Sequence, residues 1–99
     1  MIKRIVKMTF RPEEVGHFVE QVFEQSKASI RAFPGCRHME LLRSRAQPNV
    51  LFTLSFWESE NDLERYRQSE LFQQTWAKTK VLFAEKAEAW SVDVVDEPG

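Results

Sequence analysis

The chain of 99 residues is long enough for one domain with one core, and too short for a second. Its 42% hydrophobic and 29% charged residues match a folded domain and exclude a disordered chain, a collagen and a disulfide scaffold. The net charge of −1 divides into +4 over residues 1–50 and −5 over residues 51–99, without the clustered basic footprint of a nucleic-acid binder.

Residues 2–10 are expected to form a strand. Ile2, Val6, Met8 and Phe10 share one parity, with Arg4 intruding among them. Pro12 followed by Glu13 and Glu14 is a helix start, since proline suits the first position and acids suit the positive end of the helix dipole. Val15, Phe18, Val19, Val22, Phe23, Ser26, Ile30 and Phe33 then recur at helical spacing, up to the Pro34-Gly35 break. A second strand over 36–45 is charged on both parities, as befits an edge. The turn Ala46-Gln47-Pro48-Asn49 leads into Val50–Trp57, apolar on both parities and therefore expected to be central and covered on both faces.

Ser59 with Asp62 three residues later resembles a capping box and predicts a short helix over 60–68. Ser69 caps a further helix from Glu70, with Leu71, Phe72, Thr75, Trp76, Thr79, Leu82 and Phe83 as its buried stripe. Trp90–Val95 alternates as a last strand, and residues 96–99 read as a solvated tail. The order β-α-β-β-α-β over a single domain, residues 1–99, gives an α+β fold: a ferredoxin-like split βαβ arrangement with a four-stranded antiparallel sheet and helices on one face. The second face of the apolar third strand then needs a cover. A second copy of the chain supplies one, so a homodimer with two sheets facing each other is expected.

Cys36 is the only cysteine, so no intrachain disulfide forms and a reduced, cytoplasmic protein is expected. Charges interrupt the first residues where a signal peptide needs an apolar run, and no run approaches the ~18 residues of a membrane span. Neither membrane nor nucleic acid is expected as a partner.

Pro34-Gly35-Cys36, then strand, turn and strand into Phe56-Trp57-Glu58-Ser59, then Leu63, Tyr66, Ser69 and Phe72 along the next helix resemble the antibiotic biosynthesis monooxygenase (ABM) domain, of the dimeric α+β barrel superfamily. The resemblance implies a dimeric barrel with a pocket between helices and sheet in each subunit. It also implies a choice of activities: cofactor-independent oxidation of quinols or anthrones by O2, or haem degradation. Two departures matter. Where relatives carry a His-x-x-Ser-x-His-Phe pattern, this chain has Tyr66 and Leu71. The Asn, Trp and haem-ligating His of the haem-degrading members fall on Lys7 or Met8, Tyr66 and Trp76, so the iron ligand is missing.

Candidate site residues follow, each with an ordinary packing role beside the chemical one. Trp57 ends the central strand and offers an aromatic surface with one N–H donor. Tyr66 offers a phenol to orient or protonate a bound oxygen. Phe72 and Trp76 extend the aromatic surface toward a small aromatic ligand; for Trp76 a core role is the ordinary reading. Cys36, His38 and Glu40, two apart, are expected on one sheet face, and a histidine held by a glutamate can act as a general base. Arg37, Arg43 and Arg45 share a parity and can meet an anion, or simply face water. Glu14-Val15-Gly16-His17 has the Glu-x-x-His spacing of di-iron bundles, but one copy falls short of such a site and no metal is expected. The three glycines, Gly16, Gly35 and Gly99, form no phosphate loop, so no cofactor is expected.

The expected activity is cofactor-independent oxidation of an electron-rich aromatic, a quinol or polyketide phenol, by O2, with His38 as base and Tyr66 as donor. The alternatives are a non-catalytic binding or signalling dimer on the same fold and, third, a haem-binding protein.

Overall fold

The computed structural model describes residues 1–98. Four strands, β1 (Ile2–Thr9), β2 (Cys36–Arg43), β3 (Val50–Trp57) and β4 (Glu88–Asp93), form one antiparallel sheet in the order β2-β3-β1-β4. This is the ferredoxin-like arrangement. The apolar β3 is central together with β1, and the charged β2 lies at an edge, where its polar side chains and unpaired backbone groups meet water.

The first helix departs from its simple prediction. Pro12–Glu14 is a turn of 3-10 helix with proline at its start, and the helix proper, α1, runs through Val15–His17, Phe18–Phe23 and Glu24–Arg31. The middle segment has π-type hydrogen bonding. Residues five apart, which an α-helix splays, are thereby brought toward one face. Phe18 and Phe23 are such a pair, with ring centroids 6.2 Å apart.

Gly35 ends the connection to β2 with φ 89°, and a Cβ there would lie 2.4 Å from the Asp62 Cβ. Both the backbone conformation and the close approach require glycine. The helices α2 (Glu60–Arg67) and α3 (Glu70–Lys80) start as their serines predict. The Oγ of Ser59 accepts from the Asp62 amide at 3.1 Å, and that of Ser69 accepts from the Phe72 amide at 3.1 Å.

Two boundaries move. α3 ends at Lys80, so Leu82 and Phe83 continue its stripe from outside the helix; Phe83 forms an isolated bridge with the fully buried Phe10. β4 lies two residues earlier than its apolar alternation suggests, because its register on β1 pairs Lys7 with Glu88 and Ile2 with Asp93. Residues 96–98 are exposed and outside any strand, and Gly99 lies outside the described residues.

The core forms where α1 and the chain after α3 cover the Met8 and Leu51 face, with Phe10, Phe18, Val22 and Leu82 completing the cluster. Strand alternation sends Ile5, Phe52, Leu54 and Phe56 to the opposite, rear face. There Leu42, Trp90 and Val92 are 40–44% exposed, which is unusual for large apolar side chains grouped on one surface.

Candidate functional site

Alternation puts Arg4, Val6 and Met8 of β1 and Thr53, Ser55 and Trp57 of β3 beneath the helices. The sheet and helices do not close completely there. They leave a cavity of about 310 Å³.

Six aromatic side chains are among its walls. The Trp57 indole stacks on the Tyr66 ring at 4.9 Å and 26°, and Phe33 and Phe72 meet Tyr66 edge-on at 5.4 and 5.3 Å. Phe72 and Trp76 stack at 5.9 Å. The loop serine fixes this cluster from the backbone: Ser69 Oγ donates to the Tyr66 carbonyl at 2.6 Å while accepting from the Phe72 amide. The Trp57 Nε1–H donates to Ser55 Oγ at 2.9 Å, so the indole is held in one orientation.

The structure therefore brings Trp57, Tyr66, Phe72 and Trp76 into one cavity. His38 is elsewhere. A bulge in β2 pairs Cys36 with Trp57 but His38 with Phe56, and so places Cys36 and His38 on opposite faces. The His38 ring lies 4.7 Å from that of Phe56 on the rear face, with its Nε2 2.9 Å from Glu40 Oε1. The expectation of Cys36, His38 and Glu40 on one face is corrected by this bulge, and His38 does not line the cavity with Tyr66. Arg37 pairs with Glu58 at the surface, and Arg43, Arg45, Glu14 and His17 also lie outside the cavity lining. No group of His, Cys, Asp and Glu able to hold a metal occurs among the described residues. Neither His17 nor His38 lines the cavity, so it offers no axial imidazole to a haem.

Both charged residues of the cavity, Arg4 and Arg67, escaped the sequence reading as site candidates. The signal was present in Arg4, the one charged residue on the apolar parity of β1. Its Nη1 donates to Ser91 Oγ at 2.9 Å.

Burial pushes the Tyr66 phenol well above its ordinary value of 10.0, and the nearby Cys36 adds to the shift. Burial also raises the Cys36 thiol. Tyr66 is consequently a donor and not a base at any physiological pH. It is the only tyrosine, so absorbance near the phenolate band reads it alone. In a pH titration of the folded protein, the phenolate band is expected to stay absent as pH passes 10.0, and to appear at once on unfolding in denaturant at the same pH. Since the folded value lies above the unfolded one, the associated stability is complete below pH 10.0 and is lost as pH rises toward the folded value. A native titration near the ordinary value would contradict the buried placement.

A four-stranded antiparallel sheet under helices, enclosing an aromatic cavity with one phenol, defines a ferredoxin-like α+β protein with a small-molecule-sized site. The profile of the family described as antibiotic biosynthesis monooxygenase (ABM) matches residues 1–78, and the chain belongs to that family. Solved structures agree in fold. A conserved protein of Methanosarcina mazei superposes with a TM-score of 0.87 at 19% identity, covering 92% of this chain and 89% of that one. A protein of Mycobacterium tuberculosis gives 0.88 at 19% identity, covering 99% and 98%. A structure described as an antibiotic biosynthesis monooxygenase gives 0.88 at 18% identity, covering 97% and 100%. None of the curated proteins matches the chain in sequence. No helix among the described residues is long and apolar enough to cross a membrane.

Proposed function

We propose that the chain is a cofactor-independent monooxygenase that oxidises an electron-rich aromatic, such as a quinol or polyketide phenol, with O2. The observation that carries this reading is the cavity itself, of a size suited to a small aromatic and walled by Trp57, Tyr66, Phe72 and Trp76 around a phenol kept protonated. In this reaction the ionised aromatic passes an electron to O2 and the two radicals combine. One oxygen atom ends on the ring and the other leaves as water. The substrate supplies all four electrons: a naphthohydroquinone plus O2 gives a hydroxynaphthoquinone plus water.

The chain's contribution is position and polarity. Stacked rings hold the substrate plane, the aromatic walls exclude water, and the Tyr66 hydroxyl donates to the oxygen on which negative charge develops. No histidine or carboxylate lines the cavity. The substrate therefore enters as its anion, having lost its proton in bulk solvent rather than to His38.

That same lack of a base favours the second reading, a small-molecule-binding dimer without catalysis. Oxygen consumption with a naphthohydroquinone separates the two. The oxygenase reading expects uptake above autoxidation, one labelled oxygen atom in the product, and a loss of about 100-fold in kcat for Tyr66→Phe, the scale of one lost donor to a developing oxyanion. Uptake no greater than autoxidation, with the ligand still bound, supports the binding protein instead.

Both readings place the protein as a homodimer. The rear face groups Phe52, Leu54, Phe56, Trp90 and Val92 on a sheet whose helices all lie on the other side, and a second copy offers the same surface in return.

A further inference from the structure

The cavity lining is electrically one-sided. Its charged members are Arg4 and Arg67, and it contains no acid, although the chain as a whole is net negative. Arg4 enters from β1, where its register partners are the serines Ser55 and Ser91. Arg67 enters from α2, next to Tyr66 in sequence. Two guanidiniums facing one apolar cavity repel each other unless something negative lies between them.

Within the chain little does. Glu64 reaches Arg67 at 3.4 Å, but both side chains are about half exposed, so the pair is weak. Arg4 donates to a neutral hydroxyl. Burial and the Arg67 charge both work against the charged form of Arg4, with Glu64 opposing them. Arginine nevertheless stays charged in proteins. A partly buried guanidinium whose nearest carboxylate is half exposed is only weakly compensated, and a bound anion lowers the remaining cost.

The geometry points to an aromatic acid as the ligand: a planar ring system against Tyr66, Phe72 and Trp76 carrying a carboxylate that sits between Arg4 and Arg67. This inference rests on the aromatic-site reading above and narrows its substrate class.

Calorimetric titration of the full chain with a hydroxynaphthoate and with the matching naphthol, both inert to O2 over the titration, tests it. The naphthoate is expected to bind at least about tenfold more tightly, as a charge-assisted pair predicts, and to weaken with added salt while the naphthol does not. Arg67→Gln, at a half-exposed side chain of α2, and Arg4→Gln should each remove the preference and leave naphthol binding intact. Using both variants guards against a folding defect in Arg4→Gln, whose native side chain ties β1 to β4. Equal affinity of the wild type for the two ligands, or a preference that survives both substitutions, overturns this inference and leaves the aromatic site standing. Failure of both ligands to bind overturns both readings.

Discussion

Trp57→Ala is expected to cost about 3–5 kcal/mol, the range for deleting a buried aromatic ring. Trp57 is 1% exposed and is among the largest fully buried side chains. Its loss removes the stacking on Tyr66 at 4.9 Å and the edge contact with Phe33 at 6.3 Å, and it leaves the buried Ser55 hydroxyl without its donor. For a domain this small, such a loss lowers the melting temperature by about 15 °C or more. Thermal or urea unfolding measures it, and Trp57→Phe should recover much of the difference because the ring is partly restored. A melting temperature within a few degrees of wild type would mean that the indole is not the packed centre of the aromatic cluster.

The second large effect concerns the rear of the sheet. Leu54 sits mid-strand there, between Ile5 and Glu40 in the register. In a two-fold assembly Leu54→Asp places an uncompensated charge at the interface twice. At about 3 kcal/mol for each buried charge, the dimer dissociation constant rises on the order of 10⁴-fold. Sedimentation should show the wild type at twice the chain mass at micromolar concentration and the variant at one. Leu42→Asp, at a side chain already 42% exposed, changes the same surface with less effect on the protomer and should shift the equilibrium in the same direction. Unchanged dimers in both variants, or a wild type that sediments as a single chain, would refute the rear-face pairing.

The residues make clear why some of this was legible in the sequence. The strands declared themselves through period-two alternation, and β3 declared its central place by being apolar on both parities. The serines at 59 and 69 fixed the starts of α2 and α3 because an N-cap is a local interaction. Trp57, Tyr66, Phe72 and Trp76 fell together because a strand end and a helix stripe both aim at the same layer.

What stayed hidden was non-local or depended on a single extra residue. The bulge at Cys36/His38 reverses which face His38 takes, and nothing in Cys36-Arg37-His38 announces it. The π-bonded segment of α1 brings Phe18 and Phe23 together, though their spacing fits an α-helix poorly. Arg4 looked like an interruption of an apolar parity, while its position under α2 depends on the sheet order β3-β1-β4. The place of β4 was set by pairing with β1 rather than by its own alternation.

The three tryptophans offer the most direct test of the central claim, that the helix-covered cavity is where this protein takes an aromatic molecule. Trp57 and Trp76 line the cavity, whereas Trp90 stands on the rear face, so their indole N–H resonances report on the two surfaces separately. Titration with a hydroxynaphthoate, followed by proton–nitrogen correlation spectra, should shift the Trp57 and Trp76 indole signals in a saturable way and leave that of Trp90 in place. A saturable shift confined to Trp90 would move the ligand to the rear of the sheet and contradict the account.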